Sequence, residues 1–226
     1  MKDVVQSERK TIFDFVFKEL QESAPLLAEV HSNQSGPYYG RITRPVVVFL
    51  LAKLALNAEV YTDNDWTDGR RPDGKNLFFE VDGNRLNAWQ TVIAYCDQLQ
   101  EMGYRLEPDY KTNFAVFNEP SVENIFTIPM NKTLYTNQMQ YLFRSRHYNH
   151  AKAYGLSGEN GPSATIEALE TFGYETAQQD PRFDICYFAG VVYDLKGNIV
   201  RLDDGNVLEY LPWKVELDIS NTPYEQ

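Results

Sequence analysis

Cysteine, histidine and basic residues are scarce in this chain of 226 residues. Its two cysteines, Cys96 and Cys186, match neither a CxxC pair nor a metal-ligand spacing. Acidic residues outnumber basic ones by 32 to 21, which gives a formal net charge of −11. No run of lysine and arginine interrupts this excess, so the composition argues against a nucleic-acid-binding protein.

The sequence also lacks the signatures of several enzyme classes. It contains no G-x-S-x-G elbow, no P-loop and no dinucleotide-binding fingerprint. A pair of carboxylates such as Asp203 and Asp204 can support glycoside hydrolysis. Such pairs carry little information in a chain with 32 acidic residues. We therefore predict a protein that is not an enzyme and uses no cofactor, with a glycoside hydrolase as an alternative.

Two segments raise the question of a bound metal. His147 and His150 are three residues apart, but the third histidine of the chain, His31, is remote in sequence. The loop of residues 62–83 contains several aspartates, yet it lacks the glycine that an EF-hand calcium loop requires at position six. We assign no metal site, and whether calcium or another metal binds stays open.

The apolar stretch of residues 45–60 is the feature around which the chain is organised. Proline at position 45 favours a helix start, and alanines at three-residue spacing follow it. The stretch is too short to cross a bilayer and carries Lys53 near its middle. We predict a central helix that is buried on nearly all sides.

Two further helices should pack around this one. The first covers residues 7–22 with Ser7 as its N-cap, and the second runs from an N-cap at Asn84 to about Met102. On the second helix we expect one buried face with Cys96 as a small buried hydrophobe. That face comprises Leu86, Trp89, Ile93, Cys96 and Gln100. Small residues such as Ala52, Ala55 and Ala88 are typical of tetratricopeptide helix pairs, which stack closely.

The rest of the chain contains fewer regular elements. We predict a short strand at 123–129, a helix at 163–172 capped by Ser163, and a hairpin of strands 183–193 and 199–202. Cys186 falls in the first strand of that hairpin, and a last strand covers 213–219. The predicted fold is mainly α, with tetratricopeptide-like helix pairs, a loop-rich portion and a short antiparallel β region. We expect one domain, with a helical scaffold at about 7–103 and a loop-rich, ligand-facing portion at about 104–226.

Residues 135–160 mix aromatic, amide and arginine side chains. Flat rings can stack on sugar rings or peptides, while asparagine, histidine and arginine provide directional hydrogen bonds. This combination is what a glycan-binding surface needs, although an irregular loop packed on helices has the same composition.

The order of the motifs resembles that of the SusD/RagB family over essentially the whole chain. The resemblance lies in residues 9–20, 39–43, 50–62, 160–164, 180–182 and 212–219. The most specific motifs in this resemblance are LLAKLALNAEVYT at 50–62 and YLPWKVELD at 210–218.

This resemblance implies a non-catalytic, glycan-binding lipoprotein on the surface of a Bacteroidetes-type outer membrane. It also implies a SusC-like TonB-dependent transporter as partner and a helical fold with tetratricopeptide-like pairs. The chain has no signal segment and no lipid-modified cysteine. Taken by itself, this absence would predict a cytoplasmic protein. Beside the resemblance, we read the chain as an internal fragment. A protein–protein scaffold or a non-functional truncated fragment is the alternative. We expect exposed apolar patches, with oligomerisation or aggregation.

We nominate ligand contacts by their local chemistry, because the resemblance implies no fixed ligand motif. The stacking candidates are Trp66, Tyr135, Tyr141, His147, Tyr148 and Tyr154. The hydrogen-bonding candidates are Arg146, Asn149 and Asn160.

Overall fold

The computed structural model describes residues 5–130, 145–159, 163–212, 214–216 and 223–225. The chain forms two compact units, residues 1–129 and 130–226. Tyr135, Tyr141 and Asn160 lie outside the described residues, as does Trp213.

The predicted fold class is confirmed, because helices dominate the described residues and the strands are short. The helices are α1 (Arg9–Ser23), α2 (Arg44–Leu56), α3 (Ala58–Tyr61), α4 (Ala88–Glu101), α5 (Tyr148–Ala153), α6 (Ile166–Thr171) and α7 (Phe183–Cys186). The strands are β1 (Phe78–Val81), β2 (Asn84–Asn87), β3 (Gly190–Val191), β4 (Glu209–Tyr210), β5 (Lys214–Glu216) and β6 (Pro223–Glu225). They pair antiparallel as β1–β2, β3–β4 and β5–β6.

Helix α1 packs its aromatic stripe into the core of the first unit. Phe13 and Phe17 are buried, and the rings of Phe17 and Phe79 lie 4.6 Å apart between centroids. The predicted N-cap is wrong, because Glu8 holds that position and its own side chain makes no cap hydrogen bond. At its start, the side chain of Asn64 accepts from Lys10 N at 3.0 Å, and at its end Ala24 N donates to the Leu20 carbonyl. The helix also packs against α2.

Helix α2 starts as predicted, with Pro45 in its first turn, but the apolar stretch is broken at Asn57. The side chain of Asn57 donates to the carbonyl of Lys53 at 2.9 Å, and α3 follows. One side of α2 is buried, including Val47, Leu51 and Ala55. The prediction of burial on nearly all sides is wrong, since Phe49, Leu50 and Leu56 are 39%, 39% and 54% exposed. This exposure confirms the expectation of apolar surface on the chain.

A hairpin that the sequence analysis missed precedes α4. Asp82 and Gly83 join β1 to β2 with φ values of 50° and 77°, the two positive values that a type I′ turn needs. The N-cap of α4 is therefore Asn87 rather than Asn84, which starts β2. Asn87 and Gln90 form a capping box, with both hydrogen bonds at 3.0 Å.

The buried face of α4 differs from the predicted one. Ala88, Thr91, Tyr95 and Leu99 are buried against the core, while Ile93 is 60% exposed and Cys96 is exposed. Cys96 is therefore not the buried hydrophobe that was expected. The helix begins three residues later than predicted, and its inward stripe starts from Ala88. Helices α2 and α4 pack together, and the buried Ala52, Ala55 and Ala88 permit close approach.

The segment after α4 is irregular but extensively hydrogen-bonded. The predicted strand at 123–129 is wrong, because residues 124–129 form no strand. The buried side chain of Asn113 accepts from Ser121 Oγ at 2.7 Å and donates to Glu123 Oε2 at 2.7 Å. From outside the segment, Asn33 Nδ2 donates to the Ser121 carbonyl at 2.8 Å. These bonds fix the course of the chain without regular secondary structure.

The second unit contains short helices and a small β-meander. Residues 183–186 form α7 rather than a strand, and Cys186 is exposed there. Thr165, not Ser163, caps α6 through a bond from Ala168 N at 3.3 Å.

The predicted hairpin turn at 194–198 is confirmed, with a bridge from Tyr193 to Ile199. Asp194 Oδ1 accepts from the backbone of Lys196 and Asn198 at 2.8 Å each. The meander buries four apolar side chains, Val192, Val200, Leu202 and Leu208. Of the last predicted strand, residues 214–216 are β5, and 217–219 lie outside the described residues.

Candidate functional site

Helix α5 positions most of the nominated residues that the structure describes. His147 is its N-cap, and His147 Nδ1 accepts a hydrogen bond from Asn149 N at 3.1 Å. The backbone N–H of His147 donates to the Tyr210 hydroxyl at 2.9 Å. The same hydroxyl lies 3.1 Å from His150 Nδ1. Tyr210 therefore links the first turn of α5 to strand β4.

Both histidines of α5 are completely buried. Burial, with smaller effects from Arg146 and His147, lowers the pKa of His150 to about 4. His150 Nε2 has no hydrogen-bond partner among the described residues. Burial also raises the pKa of Tyr210, which the bond from His147 N partly offsets. The neutral His150 ring thus serves as an aromatic filler.

The neighbours of His150 form a cluster of rings, which we call the α5 aromatic cluster and define as His150, Tyr154, Phe188 and Tyr210. The His150 ring meets Phe188 edge to face, with centroids 4.7 Å apart, and Tyr154 in the same way at 5.1 Å. Arg146 Cζ lies 4.8 Å from the centroid of Phe188. This arrangement orders a guanidinium on an aromatic ring near the protein surface.

Side-chain bonds to the meander fix the orientation of α5. Asn149 Nδ2 donates to the Arg201 carbonyl at 2.8 Å and to Asp203 Oδ1 at 3.2 Å. The Tyr154 hydroxyl donates to the Tyr193 carbonyl at 3.2 Å. The amide nitrogen of Asn149 and the hydroxyl of Tyr154 therefore already have partners within the protein.

Among the described residues of this unit, three aromatic side chains are accessible from solvent. Tyr148, Phe188 and Tyr193 are 36%, 53% and 51% exposed. Tyr148 was nominated from the sequence, whereas Phe188, Tyr193 and Tyr210 were not. Phe188 was assigned to a strand, and its contact with His150 joins residues 38 positions apart, so the local pattern carried no signal for it.

Trp66 belongs to the first unit and is 68% exposed. Its loop is held by Arg71, whose Nη2 donates to the Trp66 carbonyl at 2.7 Å. Arg71 also forms an ion pair with the nearly buried Asp63 at 3.4 Å. The indole is thus presented by an ordered loop.

The described residues contain no group of three or more His, Cys, Asp or Glu side chains placed to hold a metal ion. Within the same residues, no helix is long and apolar enough to cross a membrane. A shallow depression at the start of α6 is lined by residues 163–167 and includes none of the nominated side chains.

Comparison with known proteins gave one informative likeness. No family model matches the sequence, and no curated protein matches it. The fold is similar to the crystal structure of a SusD-like protein from Bacteroides fragilis, with a TM-score of 0.52 and 17% sequence identity. The match covers 76% of this chain and 29% of that protein, so the chain spans under a third of its length. The likeness confirms the expected SusD-like fold.

Proposed function

We propose that this chain binds oligosaccharide or polysaccharide without catalysing its turnover. The observation that carries the proposal is the fold likeness to a SusD-like protein. It agrees with the sequence resemblance, whose motifs run through the chain in the family's order. The accessible aromatic side chains near α5 are chemically suited to such a ligand, since they offer flat apolar faces beside hydrogen-bonding groups.

The proposed contacts follow from accessibility. Tyr148 and Phe188 stack on sugar rings, and Arg146 beside Phe188 donates to sugar hydroxyls. His147, which is buried, positions Tyr148 and Asn149 through the cap of α5. Trp66 provides a further stacking face on the first unit. Asn149, Tyr154, Tyr135, Tyr141 and Asn160 remain nominated ligand residues.

The biological setting of this binding is also a proposal. As part of a SusD-like protein, the chain captures glycans at the surface of the outer membrane and passes them to a SusC-like TonB-dependent transporter. Retention of a tagged full-length protein on the cell surface, and its co-purification with a SusC-like transporter, would test this setting.

Affinity electrophoresis and titration calorimetry on a panel of neutral and acidic polysaccharides test the binding itself. We expect at least one glycan to bind, and Tyr148→Ala or Phe188→Ala to weaken it about tenfold through loss of a stacking face. Tyr38→Ala is the matched control, since Tyr38 is 41% exposed but was not nominated. If Tyr148→Ala and Trp66→Ala both leave binding unchanged, the nominated contacts are wrong. If no glycan on the panel binds, the proposed function is contradicted.

A further inference from the structure

The irregular segment after α4 exposes an unusual number of apolar side chains. We call residues 106–117 the 106–117 loop. Leu106, Phe114, Val116 and Phe117 are 80%, 70%, 90% and 81% exposed, and Tyr110 is 37% exposed. The rings of Tyr110 and Phe114 contact each other with centroids 5.0 Å apart. None of these residues takes part in the α5 aromatic cluster or in the proposed glycan contacts.

The loop is held in this exposed form by hydrogen bonds at its base. Glu123 Oε2 accepts from Asn113 Nδ2 at 2.7 Å and from the backbone of Glu107 at 2.9 Å. Glu107 Oε1 in turn accepts from Val122 N at 2.7 Å. Asn113 is almost fully buried among these groups. Moving this base would break part-buried hydrogen bonds, which are costly to leave unmade, so the backbone of the loop is held in place.

The chemistry of the loop favours a protein, rather than a sugar or a membrane, as its binding partner. Leucine and valine offer no flat face for a sugar, whereas aromatic and aliphatic side chains together are typical of the centre of a protein interface. The net charge of −11 disfavours an anionic membrane surface.

The size of the apolar surface matches a weak dimer. At roughly 200 Å² for a fully exposed phenylalanine and roughly 100 Å² for leucine or valine, the loop presents roughly 450 Å². Two copies meeting here bury roughly 900 Å² of apolar surface, and a polar rim brings the total near the lower end of specific interfaces.

The charges around the loop are compatible with pairing to a second copy. A two-fold interface must be self-complementary, so charged side chains within it must be of both signs to pair across the axis. Arg105 and Lys111 provide positive charge, and Asp109 provides negative charge, all on exposed residues of this segment. We propose that the 106–117 loop is a self-association surface through which two copies of the chain form a dimer.

Sedimentation and light scattering from the low-micromolar to the near-millimolar range test this proposal. We expect a reversible dimer that strengthens as salt is added, because salt screens the repulsion between two chains of net charge −11. The double variant Val116→Ser, Phe117→Ser should weaken it by roughly tenfold or more, since each substitution acts twice in a two-fold interface. Both side chains are at least 81% exposed, so the monomer should keep its fold, which circular dichroism checks.

Two further variants test whether the dimer depends on the 106–117 loop in particular. Leu26→Ser removes an apolar side chain that is 83% exposed elsewhere on the same unit, and it should leave the dimer unchanged. Val116→Lys is a second loop variant that should also weaken the dimer, by adding charge to its centre. A chain that stays monomeric throughout the range overturns the proposal. So does a dimer that survives both loop variants, or one that only a substitution on α2, such as Leu56→Ser, dissociates.

Discussion

Burial of a single titratable ring couples the second unit to pH. The folded protein holds His150 neutral, with a pKa of about 4 against an ordinary value of 6.5. Between these two values the unfolded chain binds a proton at this residue that the folded chain does not. The protein therefore has its full stability, as far as His150 is concerned, above pH 6.5, and its free energy of unfolding decreases as the pH falls from 6.5 towards 4.

This gives a prediction for His150→Gln, which removes the titration and keeps a polar side chain. Wild-type stability should fall by at most roughly 3 kcal/mol more than that of the variant between pH 6.5 and 4. Urea unfolding followed by circular dichroism at several pH values measures the difference. His31→Gln, in the first unit, should preserve the wild-type slope because His150 is intact. Parallel curves for wild type and His150→Gln would contradict the prediction.

At the scale of elements, the start of α4 offers two candidate N-cap residues, Asn84 and Asn87. Asn84 and Asn87 are equally plausible from composition. The structure selects Asn87, whose side chain accepts from Gln90 N while Gln90 Oε1 accepts from Asn87 N. Asn84 instead starts a strand and donates to the Asp82 carbonyl at 3.3 Å.

We predict that Asn87→Ala destabilises the first unit by about 1 kcal/mol, since it removes the cap of a fourteen-residue helix. Asn84→Ala is the matched control, and it should cost less because the main-chain ladder of the hairpin stays intact. Chemical denaturation of both variants measures the two values. A larger loss of stability for Asn84→Ala than for Asn87→Ala would show that Asn87 is not the cap of α4.

The same elements show what could be read from the sequence. Helix α2 was found because Pro45 and a continuous apolar run are local signals, and the turn at Asp194 was found for the same reason. The sequence contains the capping box as Asn87 and Gln90, but the prediction omits the hairpin just before it, so the predicted helix starts too early. That error moved the apparent inward face onto Cys96.

The candidate site could be predicted only where its residues are close in sequence. Tyr148 and Asn149 lie in one short polar and aromatic segment, and composition singled them out. Phe188 and Tyr210 reach His150 from 38 and 60 positions away. Contacts of this kind depend on tertiary packing, which no local periodicity encodes.

At the scale of the whole molecule, the described residues of the two units form hydrophobic clusters of unequal size. The first buries α1, α2 and α4 around one large cluster, whereas the described meander of the second buries four apolar side chains. Stability within a chain follows such differences in buried apolar surface.

Hydrogen–deuterium exchange should therefore separate the units. We expect amides in α2 and α4 to exchange more slowly than those of residues 190–210, because opening the larger core costs more free energy. Mass spectrometry of peptides from the intact chain measures both rates in one sample. Equal protection of the two sets would show instead that the chain opens as one cooperative body.

The exposed cysteines have a practical consequence. Cys96 lies on the solvent side of α4 in the first unit, and Cys186 ends α7 in the second. The chain has no other cysteine, so each unit carries a single accessible thiol. A pair of nitroxide labels attached to the unmodified protein would act as a molecular ruler. Pulsed electron resonance would then give the distance between the units, and its distribution, before and after glycan is added.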